Sequence, residues 1–196
     1  MVAQPNRLLM SVQAYLTLDR GSIESRYEFI DGLAYMLAGG TGNHALIGGN
    51  MIGELRNALR GSPCRVYTSD MKVRLSESRY VYPAITVSCD ARERGTDDIL
   101  LYPHLVIEVL SPGTEAYDRG KKFGYYRACP TIEEYVLVDT QQPFVEVYRR
   151  ENGFWRLYPF GPDDQVMLTS LDISFPVATL YENVTLSENT SDSSST

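Results

Sequence analysis

The chain has 196 residues, of which 43% are hydrophobic, and its formal net charge is −7 at pH 7. This length and apolar content are enough for one sizeable core, so we predict a single domain over residues 1–186 and a disordered, Ser-rich acidic tail over 187–196. The negative charge argues against broad, charge-driven DNA binding, so any nucleic acid contact needs a local basic patch or a metal ion. No apolar run approaches the roughly 18 to 20 residues of a membrane span, and the N-terminal segment lacks the unbroken apolar stretch of a signal peptide. We therefore expect a cytoplasmic protein without membrane contact.

The first third of the chain predicts a helix, a hairpin and a longer helix. Ser11 is suited to cap a helix that extends to about Leu18. Two strand-like runs then flank Asp31 and Gly32, a dipeptide that favours a tight type I′ turn. Apolar residues recur near helical spacing over 42–60, and the Gly and Pro that follow predict the end of that helix.

The remainder predicts strands on both sides of a second helix. Thr114 occupies an N-cap position, and the basic residues that follow suit a helix through about residue 129. Short apolar or β-branched runs predict strands at 64–75, 84–89, 105–110, 133–140, 144–150 and 154–160. This order favours an α/β protein in which helices flank a central mixed β-sheet.

The three cysteines are odd in number, distant in sequence and flanked by apolar residues. They are Cys64, Cys89 and Cys129. We expect neither a disulfide framework nor a Cys-based zinc site, and predict that all three are small core residues.

Glu108 is the clearest local anomaly, because its carboxylate interrupts the apolar strand predicted at 105–110. A buried carboxylate needs a cation, a metal ion or a proton. A structural ion pair and a functional role are both compatible with this position.

On the second predicted helix, Asp118, Lys122 and Tyr126 are spaced four residues apart and share one face. A surface ion pair between Asp118 and Lys122 is the usual explanation of such spacing.

Several motifs resemble the Uma-two family of restriction endonucleases over roughly residues 10 to 180. These motifs are YEFIDG around Glu28, GNHALI around His44, YPAITVSCD, and LVIEVLSPGTEAYDRGKKFGYYR followed by EEYVLVD. That family belongs to the PD-(D/E)xK nuclease superfamily, so the resemblance implies a restriction-endonuclease-like fold, bound Mg²⁺ or Mn²⁺, and hydrolysis of DNA phosphodiesters.

The resemblance also assigns roles to residues. Glu108 matches the metal-binding and catalytic glutamate, and Lys122 matches a catalytic lysine that the family carries on the following helix, with Leu110 at the more usual lysine position. Glu28 matches an acidic residue that can approach the metal. Magnesium favours such hard oxygen ligands, and a cation is needed where negative charge develops on phosphorus.

Ala84 departs from the family pattern, which has the first metal-binding aspartate after Tyr82 and Pro83. A methyl group cannot coordinate a cation, so we expect weak metal binding and weak or absent cleavage. The sequence leaves open natural decay, an engineered inactivation, or a shifted site in which Asp70 or Asp90 replaces the missing carboxylate. The otherwise readable pattern favours decay or engineering.

Three further residues are candidates for binding the DNA substrate: His44, Arg119 and Lys121. His44 near a helix start is also suited to a purely structural hydrogen bond, and the basic residues are equally consistent with a solvated helix face. Small glycines at 48, 49 and 53 on the first long helix would allow close approach of a second copy, so we predict a homodimer.

Other functions fit the sequence less well. Gly40, Gly42 and Ala45 form a partial dinucleotide-binding pattern, but the preceding strand is the second arm of a hairpin. Ser111 lacks the surroundings of a hydrolase nucleophile. The main alternative to an active nuclease is a non-catalytic DNA-binding or dimerising module on the same scaffold, with Glu108 as a buried structural charge.

Overall fold

The protein is described by a computed structural model over residues 9–95 and 98–186, so the predicted tail at 187–196 lies outside the described residues. The helices are α1 (Val12–Gly21), α2 (Gly42–Ala58), α3 (Glu115–Tyr117), α4 (Phe123–Ala128) and α5 (Val177–Leu180). The strands are β1 (Tyr27–Ile30), β2 (Leu33–Met36), β3 (Arg65–Thr68), β4 (Lys72–Ser76), β5 (Arg79–Val81), β6 (Ile85–Ser88), β7 (Ile99–Leu100), β8 (Leu105–Val109), β9 (Glu134–Val138), β10 (Val145–Glu151), β11 (Phe154–Phe160), β12 (Gln165–Leu168) and β13 (Ile173–Pro176).

The strands form three sheets. A six-stranded sheet has the order β11-β10-β9-β8-β6-β3, a five-stranded sheet the order β2-β1-β5-β4-β7, and β12 pairs with β13. Within the larger sheet β8 and β9 are parallel, whereas the other pairs are antiparallel. The predicted α/β class with a mixed sheet flanked by helices is therefore confirmed.

The alternation of side chains along β8 fixes which helix each residue faces. Leu105, Ile107 and Val109 enter the core cluster that contains the buried side of α2. Val106 and Leu110 enter the opposite cluster, which contains Tyr126 of α4. Successive strand residues point to opposite faces, so Glu108 is directed toward α4.

Several local predictions are confirmed. The Ser11 hydroxyl accepts a hydrogen bond from the Ala14 N–H at the start of α1. Asp31 and Gly32 both have positive φ, at 48° and 94°, as a type I′ turn requires. Gly61 follows α2 with φ of 83°.

The predicted second helix is interrupted by an unpredicted π-helical segment, Asp118–Lys122, between α3 and α4. The Phe123 N–H bonds to the Asp118 carbonyl, the i to i−5 pattern of a π turn. Strands β5, β7, β12 and β13 were also not predicted, because short strands have too few residues to show a period.

The prediction for the cysteines was wrong for two of the three. Cys64 and Cys89 form a disulfide, although 25 positions separate them in sequence. Residues 64 and 89 adjoin the Arg65–Ser88 pair of the antiparallel strands β3 and β6, so the sheet register brings them face to face, with their Cα atoms 3.9 Å apart. Cys129 is a free, buried core residue, as predicted.

Candidate functional site

The site is centred on the Glu108 carboxylate, which β8 directs toward α4. The Tyr126 hydroxyl donates to Oε1 of Glu108 at 2.6 Å, and Nζ of Lys122 lies 2.8 Å from the same oxygen. Only 7% of Glu108 is exposed, so the apolar strand buries this charge and local partners compensate it.

Lys122 ends the π-helical segment, and its side chain points into the protein. Its Nζ lies 3.1 Å from Oε1 of Glu28 and 3.9 Å from Oδ1 of Asp118. Lys122 is only 6% exposed. The helical spacing had suggested a surface pair with Asp118, but the pair is buried. A π turn changes the direction of the side chains that follow it, and such turns are common at functional sites.

The remaining contacts come from the segment that joins the two larger sheets. β5 belongs to the five-stranded sheet and β6 to the six-stranded sheet, and residues 82–84 connect them. The Tyr82 N–H donates to Oε1 of Glu28 at 3.1 Å, and the Ala84 N–H donates to Oε2 of Glu108 at 3.3 Å. The site therefore lies where the two sheets meet.

The residues predicted from the family pattern thus come together in space. Glu108, Lys122, Glu28 and residue 84 form one contiguous set of contacts. The side chain at 84 is a methyl group, so the carboxylate that the pattern requires is missing from a position that directly adjoins Glu108.

Burial and charge act against each other on the ionisable groups of this site. Burial disfavours the Lys122 ammonium, but attraction to Glu108, Glu28 and Asp118 outweighs it and raises the pKa of Lys122 above its ordinary value. Burial, with repulsion from Glu108, raises the pKa of Asp118 to about 6. Burial and the negative charge of Glu108 raise the pKa of the Tyr126 hydroxyl, which keeps it a proton donor.

A second buried ion pair adjoins the site and was not predicted. Nζ of Lys72 lies 2.8 Å from Oδ2 of Asp19, and the Tyr82 hydroxyl donates to the same oxygen at 2.7 Å. Tyr82 therefore contacts Asp19 through its side chain and Glu28 through its backbone. In the sequence, Lys72 lies in a strand-like run with alternating apolar and polar residues. Such alternation gives no indication that the lysine is buried.

The three predicted substrate-binding residues are placed differently from one another. Lys121 is exposed next to the buried Lys122. Arg119 is paired with Glu115 at 2.7 Å and with Glu146, so its charge is already compensated. His44 is partly buried at the start of α2, where its N–H is capped by the Thr41 hydroxyl, and no hydrogen bond among the described residues joins its ring to Glu108.

Neither alternative aspartate adjoins the site. Asp70 is exposed and pairs with Arg26 at 2.5 Å. Asp90 lies beyond the opposite end of β6 from Ala84, where hydrogen bonds from Arg92 lower its pKa to about 2. The described contacts therefore provide no replacement for the missing carboxylate.

The acidic side chains of the site supply a small donor set for a divalent metal. In the described part of the chain, no group of three or more His, Cys, Asp or Glu side chains could hold a metal ion. Glu28 and Glu108 nevertheless both place Oε1 within 3.1 Å of one cation, the Lys122 ammonium. Magnesium commonly uses one or two carboxylates with water and phosphate oxygens, so these two residues fit the minimal protein set.

Comparison with known proteins gives the family. The family model Uma2, described as "Putative restriction endonuclease", matches residues 12–178. The chain belongs to the Uma2 family. Uncharacterized protein slr1290 of Synechocystis sp. is 34% identical to this Uma2 chain over 177 residues, which cover 89% of the chain and 93% of the relative. Uncharacterized protein sll1609 of the same organism is 30% identical over 154 residues, 76% of the chain and 85% of the relative.

A solved structure supports the fold of this Uma2 chain. A crystal structure described as a putative nuclease belonging to DUF820, from Anabaena variabilis, superposes with a TM-score of 0.74 at 20% identity and covers 90% of this chain and 99% of that one. The likeness confirms the restriction-endonuclease-like fold that the motifs implied. Within the described residues, no helix has both the length and the apolar character to cross a membrane.

Proposed function

We propose that this Uma2 chain is a metal-dependent DNA endonuclease whose cleavage activity is impaired by the alanine at position 84. The supporting observation is the convergence of Glu108, Lys122, Glu28 and residue 84 on one buried site at the junction of the two sheets. Buried ionisable groups with perturbed pKa values cluster at functional sites.

Each residue has a chemical role in this proposal. Glu108 and Glu28 would hold Mg²⁺ or Mn²⁺, which polarises a phosphodiester and lowers the pKa of bound water. Tyr126 fixes the orientation of the Glu108 carboxylate through its 2.6 Å hydrogen bond. Lys122 supplies positive charge for the phosphate in the transition state. Lys121, Arg119 and His44 would contact the DNA backbone.

The impairment follows from the chemistry of residue 84. The Ala84 N–H contacts Oε2 of Glu108, so an acidic side chain here would start from a position that adjoins the metal carboxylate. Its loss removes one of the direct ligands and leaves a metal more dependent on water and phosphate oxygens.

The substitution Ala84→Asp tests the proposal. We expect it to raise Mg²⁺- or Mn²⁺-dependent cleavage of plasmid DNA by about tenfold or more, because it restores a direct metal ligand. A tenfold change corresponds to about 1.4 kcal/mol of transition-state stabilisation. Ala178→Asp is a matched control, since it adds the same charge at an exposed position on α5. If a folded Ala84→Asp protein cleaves neither plasmid nor single-stranded DNA with either metal, the nuclease proposal fails.

The second candidate is a non-catalytic DNA-binding or dimerising module. It is favoured by the methyl group at 84 and by the pairing of Lys122 with two carboxylates, which together resemble a closed structural site. It predicts that the protein retards DNA in a gel without cutting it, and that Lys121→Ala weakens this retardation because Lys121 is exposed.

A homodimer completes the proposal. A Cβ atom added to Gly48, Gly49 or Gly53 would meet no atom of the described chain within 4 Å, so the space beside this part of α2 is open. Light scattering coupled to size exclusion would measure the number of chains, and a strictly monomeric protein at high concentration would exclude the dimer.

A further inference from the structure

The Lys122 ammonium is held by the two carboxylates that would also hold the metal. Its Nζ lies 2.8 Å from Oε1 of Glu108 and 3.1 Å from Oε1 of Glu28. The same two oxygen atoms also accept hydrogen bonds, Oε1 of Glu108 from the Tyr126 hydroxyl and Oε1 of Glu28 from the Tyr82 N–H. The arrangement is therefore a cation-binding gap between two oriented oxygen atoms, and a side chain of the same protein fills it.

We propose that Lys122 is a tethered counter-cation that competes with the divalent metal for the gap between Glu28 and Glu108. This inference rests on the ligand pair named in the proposed function. If a divalent ion bound to both Oε1 atoms while Lys122 kept its present position, two positive charges would lie a few ångströms apart. They would repel each other strongly, because the region excludes water. Metal binding therefore requires Lys122 to move away, and the interactions it loses weaken the apparent affinity for metal.

Burial makes this competition strong. Glu28, Glu108 and Lys122 are 4%, 7% and 6% exposed, so little water screens the attraction between the ammonium and the two carboxylates. Asp118, 3.9 Å from Nζ, adds a further attraction that holds Lys122 inside. The alanine at 84 makes the competition between Lys122 and the metal stronger. An aspartate at this position could bind a metal without giving up a contact to Lys122.

A phosphate group is the chemical species suited to draw Lys122 out of the gap. It offers the ammonium new anionic oxygen partners while it also supplies oxygen ligands to a metal. Metal and a phosphodiester should consequently bind with positive coupling, and each should bind weakly alone.

The direct test compares Mn²⁺ binding to Lys122→Met and to the unsubstituted chain by titration calorimetry, without DNA. We expect Lys122→Met to bind Mn²⁺ at least about tenfold more tightly, since it removes a unit positive charge from the gap. Arg94→Met, which removes a unit positive charge from an exposed arginine beyond the far end of β6, should leave Mn²⁺ affinity unchanged. Equal or weaker Mn²⁺ binding by folded Lys122→Met overturns the inference.

A second measurement keeps the test valid if Lys122→Met does not fold. Uniformly ¹⁵N-labelled, unsubstituted protein is titrated with diamagnetic Mg²⁺ while the resonance of the buried Lys122 ammonium is followed by NMR. We expect that resonance to shift or disappear as Mg²⁺ saturates the protein. An unchanged ammonium resonance at saturation overturns the inference. Neither readout involves cleavage, so the DNA assay of Ala84→Asp separately decides the nuclease proposal.

Discussion

Among single residues, the buried charges of the site depend on one another for compensation. Glu108 interrupts an apolar strand, and its cost is met by Lys122 and the Tyr126 hydroxyl. Asp118 is less well compensated, because Lys122 is closer to the two glutamates than to it. Burial and, after it, repulsion from Glu108 therefore raise the pKa of Asp118 even though attraction to the neighbouring Lys122 opposes them.

The raised pKa of Asp118 predicts a specific pH dependence of stability. Its folded-state pKa of about 6 exceeds its ordinary value of 3.8, so its contribution is complete below about pH 4 and is lost as pH rises through 6. Asn cannot ionise. Between pH 4 and pH 7, the free energy of unfolding of Asp118→Asn should therefore rise by on the order of 2 kcal/mol relative to that of the unsubstituted chain. Urea unfolding at several pH values measures this difference.

Asp163→Asn provides the control for the Asp118 prediction, because Asp163 is exposed. Its difference from the unsubstituted chain should change little with pH. If the Asp118→Asn difference is also flat between pH 4 and pH 7, the carboxyl of Asp118 is not perturbed as described.

At the scale of elements, the sheet register creates contacts between residues that are far apart in the sequence. The antiparallel pairing of β3 with β6 aligns Arg65 with Ser88, which sets Cys64 opposite Cys89. Strand β3 is the edge of the six-stranded sheet, so the disulfide also attaches that edge to the strand that follows Ala84.

The disulfide predicts a stability that depends on reductant. Closing a loop across 25 positions should contribute about 3 kcal/mol in the chain-entropy account, so the double variant Cys64→Ala/Cys89→Ala should unfold at lower denaturant under oxidising conditions. Dithiothreitol should destabilise the unsubstituted chain but not the double variant. Cys129→Ala should keep the sensitivity to reductant, because Cys129 is free. A reductant effect that persists in the double variant would contradict the assigned pairing.

At the scale of the whole molecule, the two larger sheets are connected through buried polar contacts as well as through apolar packing. Tyr82 lies between them, and it joins the Asp19–Lys72 pair to the Glu28–Lys122 pair. Asp19 is on α1 and Lys72 is on β4 of the five-stranded sheet, so this pair attaches the N-terminal helix to the sheet beside the site. A change at Lys72 should consequently affect global stability.

Lys72→Met should destabilise the protein by about 3 to 5 kcal/mol, because it leaves the buried Asp19 carboxylate without its cation. Arg20→Met is the matched control, since it breaks the Arg20–Asp98 pair, whose side chains are 54% and 46% exposed, and it should cost less than about 1 kcal/mol. Chemical denaturation of both variants provides the measurement. Equal losses of unfolding free energy would show that the burial of Lys72 has no energetic weight.

Local sequence patterns predicted most of the longer elements, and the family resemblance identified the candidate site residues. Apolar periodicity predicted α2, a short apolar run predicted β8, and the Asp31-Gly32 dipeptide predicted the first hairpin. The family pattern singled out Glu108, Lys122 and the alanine at 84. The helix, strand and turn signals depend on neighbours within a few positions, so they are readable along the chain.

Which distant residues meet is set by the packing of the folded chain. That packing paired Cys64 with Cys89, buried Lys72 against Asp19, and directed Lys122 inward through a π turn to two glutamates from different sheets. These contacts arise from strand register and helix placement, which are set by packing of the whole core rather than by local preference. For the same reason, the spacing of Asp118 and Lys122 suggested a surface pair, whereas the fold made it part of a buried charge cluster.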